Sequence, residues 1–317
     1  MVTWPIHLVL IVFLFALGTV VGSFLNVCIY RIPWQKSVVW PGSRCPKCWN
    51  AIAPQDNIPI VSWLALRGEC RSCGAPIAAR YPLVEALVGL LFVGVYVSDV
   101  LYGAEIPWGA LPARYPLEVA YHLTLVALLV AATFIDYDLW IIPDEITVTG
   151  MIVGLGVGAA FPEVRPDPST AQTHAAGFWV GLTGLLVGGG MTWAVRLLGS
   201  LAFRKEAMGF GDVTLMAMIG AFLGWQVAVM TFFLGAFVGL GHALWKLVKM
   251  IGKRLAGRKI VGVDHELPYG PYLSMAAAML MLSWPWLWKH WAHGYFDQLR
   301  MVFWFLLGFP EVGGPPR

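Results

Sequence analysis

Apolar runs of about twenty residues recur along this chain near positions 6–30, 82–102, 116–135, 145–161 and 174–199. At 1.5 Å per helical residue, runs of this kind are long enough to cross roughly 30 Å of hydrocarbon. Three more are expected within 213–289. In lipid every backbone N–H and C=O must be satisfied inside the segment, so such spans are helices. With 58% hydrophobic and only 12% charged residues, a soluble domain is excluded. The expectation is an all-α polytopic membrane bundle of about eight transmembrane helices. A last apolar segment, "MVFWFLLGF" (301–309), is too short to span and is expected at the interface or packed on the bundle. The first segment has no Lys or Arg before Arg31 and no small-residue cleavage site, so it reads as a retained helix rather than a signal peptide.

Orientation follows from where the basic residues stand, because loops rich in Lys and Arg stay in the cytoplasm. Of 21 such residues, seven lie between Arg31 and Arg80, three are Arg196, Arg204 and Lys205, and six lie between Lys246 and Lys259. With eight spans and the N-terminus outside, these three loops all face the cytoplasm, and the outward loops keep only Arg114 and Arg165. The chain then divides into a first transmembrane helix (1–30), a polar loop domain (31–81), the main bundle (82–297) and a C-terminal tail (298–317). No internal repeat is read, and no nucleic-acid partner is expected.

The loop domain carries "CPKCWNAIAPQDNIPIVSWLALRGECRSCG", two CxxC pairs with 21 residues between Cys48 and Cys70. Each CxxC turn sets two thiolates on one side of a tight knuckle, and two knuckles supply the tetrahedral four-sulfur set that Zn²⁺ favours. Lys47, Arg44 and Arg71 favour the thiolate form. The basic surroundings place the loop in a reducing compartment, which disfavours two disulfides. Cys45, Cys48, Cys70 and Cys73 are therefore expected to hold a structural zinc ion, while Cys28 is expected to be a small buried hydrophobe.

An ionisable residue at membrane depth is costly and is a functional candidate by default. "ATFIDYDLWIIPDEITVTG" brings Asp136, Asp138 and Asp144 to one membrane boundary, and "RKEAMGFGDVTLMAMIG" brings Asp212 to the same face. A turn at "GWQ" (224–226) leaves about 11 residues, roughly 17 Å of helix, between that turn and Asp212, which sets the carboxylate below the lipid surface. Gly209 and Gly211 suit unusual dihedrals and close approach of another chain. Each acid also has a plainer reading. Asp212 can cap a helix beginning at Val213, Asp144 can cap the next helix, Asp138 can be a solvated interfacial acid, and Glu85 can pair with Arg80 or bond to another helix. His122 reads as a core residue rather than a ligand. Taken together, two carboxylates held close share one proton, so that one activates water while the other donates to a carbonyl oxygen. The residues alone do not choose between Asp136 and Asp138.

The ordered series "GSFLNVCIYRIP", the two CxxC pairs, "RYPLVE", "FIDYDLWIIPDEIT", "GFGDVTLMAMIGAFLGW" and "PYGPYL" resembles the type IV prepilin peptidase family over nearly the whole chain. That resemblance implies a bifunctional enzyme of the bacterial inner membrane. Such an enzyme cleaves the basic leader of prepilins and pseudopilins at the cytoplasmic face, then N-methylates the new N-terminus with S-adenosylmethionine. It puts the catalytic pair on Asp136 and Asp212. Two blocks depart from the family pattern: Gly68 is followed by Glu69 where a basic residue often precedes the third Cys, and "PYGPYL" replaces the commoner "PFGPYL". No GxGxxG segment marks a methyl-donor site; the loop junctions around Asn26, Arg31 and Glu85 are the candidate place. Two rivals make other predictions. A zinc-ribbon membrane scaffold of pilus or secretion machinery would use the acids structurally. A proton-coupled transporter would need a polar path through outward halves that look nearly free of ionisable residues.

Overall fold

The computed structural model describes residues 4–102, 115–165, 173–206, 208–255 and 268–287, with isolated positions at 290, 294–296 and 298. The segment 301–309 and most of the outward loops lie outside the described residues. Among the described residues nine α-helices run in chain order: α1 Trp4–Arg31, α2 Val61–Ala65, α3 Arg80–Tyr96, α4 Tyr115–Leu139, α5 Asp144–Ala160, α6 His174–Phe203, α7 Phe210–Leu223, α8 Trp225–Leu255 and α9 Gly270–Leu287. No strand occurs among the described residues. All but the five-residue α2 coincide with the eight expected apolar segments, and α7 and α8 meet at Gly224 (φ 84°), inside the expected "GWQ" turn. Five of them, α1, α3, α4, α6 and α8, are long and apolar enough to cross a membrane unaided. The count of eight spans is thus not carried by length and apolarity alone. α5 and α7 have only 17 and 14 residues, and α9 has Pro285 inside it.

Lipid tails are as apolar as leucine, so membrane helices associate by close backbone approach rather than by hydrophobicity. Three seams here are built from glycine. Between α1 and α3, a Cβ on Gly18 would lie 2.7 Å from the Cα of Gly89. Between α5 and α7, a Cβ on Gly150 would lie 2.3 Å from Met218 Sδ. Between α6 and α7, a Cβ on Gly184 would lie 2.1 Å from the Gly220 carbonyl oxygen. α7 is enclosed as a result: eleven of its fourteen residues are buried, so it has no lipid-facing stripe of its own.

The half of the bundle away from the four-Cys loop holds buried ionisable groups. His122 of α4 is buried with Nδ1 2.7 Å from Asp99 Oδ2, and Asp99 lies on a wide π-type turn, Val97–Tyr102, that continues α3. Arg165 is almost fully buried and donates to the Gly154 carbonyl, beside Tyr121, whose hydroxyl lies 3.1 Å from both the Gly154 and Phe222 carbonyls. His122 is therefore a buried core residue paired through Nδ1 with an acid from outside its own helix, while its Nε2 is buried without a hydrogen-bond partner among the described residues.

Candidate active site

The four-Cys domain is tied down at the end of the bundle where α1 stops and α3 starts. Asn26 donates to the Tyr81 carbonyl (3.2 Å), Arg31 donates to the Ser37 and Pro41 carbonyls (2.8 and 2.7 Å), and the Ile60 N–H donates to Glu85 Oε2 (2.7 Å). The three junction residues considered for a methyl donor are thus fastening groups. Glu85 does not pair with Arg80.

Within the domain the two knuckles are copies. The Cys45 N–H donates to the Asn50 carbonyl and the Trp49 N–H to the Cys45 carbonyl; Cys70, Ala75 and Gly74 repeat both bonds. Trp49 (φ 60°) and Gly74 (φ 67°) take the same left-handed position, and single bridges Arg44–Ala51 and Glu69–Pro76 close each knuckle. This is an internal repeat on a scale the sequence reading missed, because only the cysteines spell alike. The four Sγ atoms lie within 4.8 Å of one another, with Cys45–Cys73 at 3.8 Å and Cys48–Cys70 at 4.0 Å. Sulfurs about 2.3 Å from a central ion stand roughly 3.8 Å apart in a tetrahedron, so the four-Cys cluster fits a metal ion. The Cys48 and Lys47 backbone amides pull the Cys45 thiol down to about 6. At Cys73 the Ala75 amide acts the same way but is outweighed by desolvation and by the three other sulfurs, which push that thiol up to about 12. Four crowded thiols do not ionise together without a cation between them.

The acids gather at the same end. α4 ends at Leu139, and the Trp140 N–H bonds back to the Asp136 carbonyl with Trp140 left-handed (φ 61°). The chain then runs through Ile142 and Pro143 into α5, whose N-cap is Pro143, so Asp144 is in the first turn rather than at the cap. There its charge suits the helix dipole. The lead-in to α7 is pinned by Arg196 of α6, which donates to the Met208 carbonyl (3.0 Å). Gly209 is the N-cap of α7 and Asp212 its third residue, bonded back to the Gly209 backbone. That is half of a capping box made from the third helical position; α7 begins at Phe210 rather than Val213, so Asp212 is not its N-cap.

Asp136 and Asp212 are 6% and 7% exposed, and Asp212 lies within reach of the Asp136 charge. What joins their helices is the N-terminus of α9. The Gly270 N–H donates to Asp136 Oδ2 (3.1 Å), and a Cβ on Gly270 would fall 2.6 Å from that oxygen. Tyr269 stands in the field of Asp212 while its hydroxyl donates to the Phe232 carbonyl (3.3 Å). Ile142 wedges between α7 and α9: a Cβ on Gly211 would lie 2.9 Å from Ile142 Cβ, and one on Gly270 would lie 2.9 Å from Ile142 Cδ1. Gly209 (φ −66°, ψ 152°) has ordinary extended dihedrals, and the close approach at Gly211 is by Ile142 of the same chain. Asp138 points elsewhere, its carboxylate held by Arg80 at 2.6 and 2.8 Å. Gly270, Tyr269 and Ile142 were not singled out from sequence; the block "PYGPYL" was visible, its contact with Asp136 was not.

Comparison with known proteins gives a consistent picture. Residues 16–98 match a model described as the bacterial peptidase A24 N-terminal domain, and residues 123–244 match the type IV leader peptidase family. A protein of Myxococcus xanthus named prepilin leader peptidase/N-methyltransferase is 36% identical over 87% of this chain and 91% of its own. Proteins of the same name from Aeromonas hydrophila (35% identical, 86% of this chain and 89% of theirs) and Pseudomonas putida (32%, 84% and 88%) are similar too. No solved structure matches.

Proposed function

This chain belongs to the type IV leader peptidase family, and from that premise we propose that Asp136 and Asp212 are the catalytic pair of a multi-pass membrane enzyme that removes the leader of prepilins and pseudopilins and N-methylates the product. The observation that carries the assignment is the meeting of two buried carboxylates, from α4 and α7, against the N-terminus of α9. Two close carboxylates hold one proton between them. The ionised member takes a proton from water as the water oxygen bonds to the scissile carbonyl carbon, and the protonated member gives its proton to the carbonyl oxygen. The tetrahedral adduct then loses its C–N bond as the acid that took the water proton gives it to the nitrogen, and the carbonyl re-forms by returning its proton to the other acid. The Gly270 N–H keeps one Asp136 oxygen fixed through these steps.

The enzyme sits in the bacterial inner membrane with the dyad and the four-Cys loop facing the cytoplasm, as the basic loops dictate. There a basic leader is retained while the apolar pilin helix enters the bilayer. Cys45, Cys48, Cys70 and Cys73 hold zinc, a closed structural set with no open position. S-adenosylmethionine supplies the methyl group when bound. The test is cleavage of a purified prepilin in detergent by Asp136→Asn and Asp212→Asn, with mass spectrometry of the mature N-terminus. Each variant is expected to fold and to cleave nothing. On the scaffold and transporter readings the purified wild-type chain itself cleaves nothing, and full cleavage by either variant removes the dyad.

A further inference from the structure

Among the described residues one ion pair joins the stretch matched by the N-terminal domain model to the stretch matched by the leader peptidase model: Arg80, the first residue of α3, with Asp138, in the last turn of α4. Nη1 donates to Oδ1 at 2.8 Å, Nη2 stands 2.6 Å from Oδ2 as an ion pair, and the same guanidinium lies 5.2 Å over the Phe134 ring. Phe134 and Asp138 are one helical turn apart on one side of α4. Asp136, midway between them, projects from the other side, since two residues rotate a helix by about 200°. Arg80 therefore grips the back of the turn whose front carries Asp136.

We propose that Arg80 and Asp138 are a positioning pair for peptide-bond cleavage, setting the rotation and depth at which Asp136 meets Asp212. The proposal rests on the reading that these two acids cleave. Neither partner touches the reacting atoms. The pair is partly open to solvent, with side chains 40% and 31% exposed, and exposed ion pairs add little to stability. What it adds is geometry. Beyond Asp138 the chain makes its left-handed turn at Trp140 and delivers Ile142 between Gly211 and Gly270, so a turn free to rotate moves the acid and the wedge together. The contact also favours arginine, because the planar guanidinium reaches Asp138 while lying over the Phe134 ring, which a lysine point charge does not reproduce.

The test compares Arg80→Ala, Asp138→Ala, Arg80→Lys and the reversed double variant R80D/D138R, each purified in detergent. Three readouts are needed: prepilin cleavage kinetics, methylation of an already cleaved pilin peptide, and thermal midpoint. The single alanine variants are expected to lose roughly ten- to a hundredfold in kcat/KM for cleavage, mainly in kcat, as for a misplacement of up to about 1 Å. Methylation of the cleaved peptide and the thermal midpoint should stay at wild-type values. R80K should fall between, and the reversed double should recover above either single. Wild-type cleavage by the alanine variants overturns the proposal. So does a parallel fall of cleavage, methylation and midpoint, which marks a general scaffold contact, or a double variant no better than the singles. Asp136→Asn run alongside separates the two readings. If it cleaves, the dyad fails; if it is inert while R80A is unimpaired, only the positioning pair fails.

Discussion

Replacing Gly220 by alanine tests whether the glycine seam between α6 and α7 sets the position of Asp212. The added Cβ would lie 2.0 Å from the Gly184 carbonyl oxygen and 2.5 Å from its carbon, where ordinary contact begins at 3.4 Å. Both sides of that contact are backbone, so no rotamer relieves it and the helices must part by about 1.4 Å, the difference between the two distances. α7 has little room to retreat, because Gly150 and Gly154 of α5 already close on Met218 and Phe222 behind it. Overpacking of this kind costs about 1–3 kcal/mol. Asp212 sits eight residues away on the same helix, roughly 12 Å along its axis, so it moves with the seam. A displacement near 1 Å costs on the order of a hundredfold in rate, equivalent to about 2.7 kcal/mol of activation free energy. The assay is kcat/KM for prepilin cleavage by the purified protein, read beside its thermal midpoint. Gly156→Ala and Gly190→Ala are the controls, since nothing lies within 4 Å of a Cβ at either position. Cleavage by Gly220→Ala within about twofold of the controls, at an unchanged midpoint, would refute the link between seam and site.

Other predictions probe the site and the loop domain separately. Gly270→Ala sets a methyl 2.6 Å from Asp136 Oδ2, so the carboxylate must swing off the Gly270 N–H; kcat for cleavage should fall while KM holds, as steady-state kinetics will read. Metal analysis of the purified chain should find about one zinc per chain, and Cys70→Ser should remove it along with the ordered loop. Arg71 holds the Asp56 carboxyl below its ordinary value of 3.8, through paired hydrogen bonds at 2.6 and 2.8 Å. A depressed carboxylate stabilises above its unfolded value and loses that contribution as pH falls through the folded one. The loop around Asp56 should therefore loosen below about pH 4, measured as hydrogen exchange corrected for intrinsic rates, and Asp56→Asn should abolish that step.

The parts of the molecule written in local pattern were legible. Apolar runs located five of the helices and placed three more within 213–289, spacing located the four sulfurs, and the "GWQ" stretch marked the turn between α7 and α8. The charge pattern put both acid clusters at one face, and the contact of Asp136 with α9 next to the start of α7 agrees with it. What escaped depends on partners distant in sequence. Asp136 and Asp138 differ by a rotation of α4 and by the presence of Arg80, fifty-eight positions earlier. Ile142 and Gly270 carry no chemistry that marks them, and only the folded chain shows the wedge and the fixed amide. The Asp99–His122 pair was missed for the same reason, since each residue alone resembles an isolated polar group inside a span.

The enclosure and brevity of α7 bear on how the protein reaches its native state in the membrane. Fourteen residues make about 21 Å of helix, too little to settle across a bilayer alone, and a carboxylate near one end opposes partition further. α7 is joined to α8 through Gly224 only, so the two enter lipid as one hairpin, with the 31-residue α8 supplying the hydrophobicity that its neighbour lacks. The glycine faces of α5 and α6 precede that hairpin in the chain and stand ready to receive it. The helix that bears Asp212 thus follows α5 and α6 into the membrane, and the cleavage centre is complete only when α9, later still in the chain, brings Gly270 to Asp136.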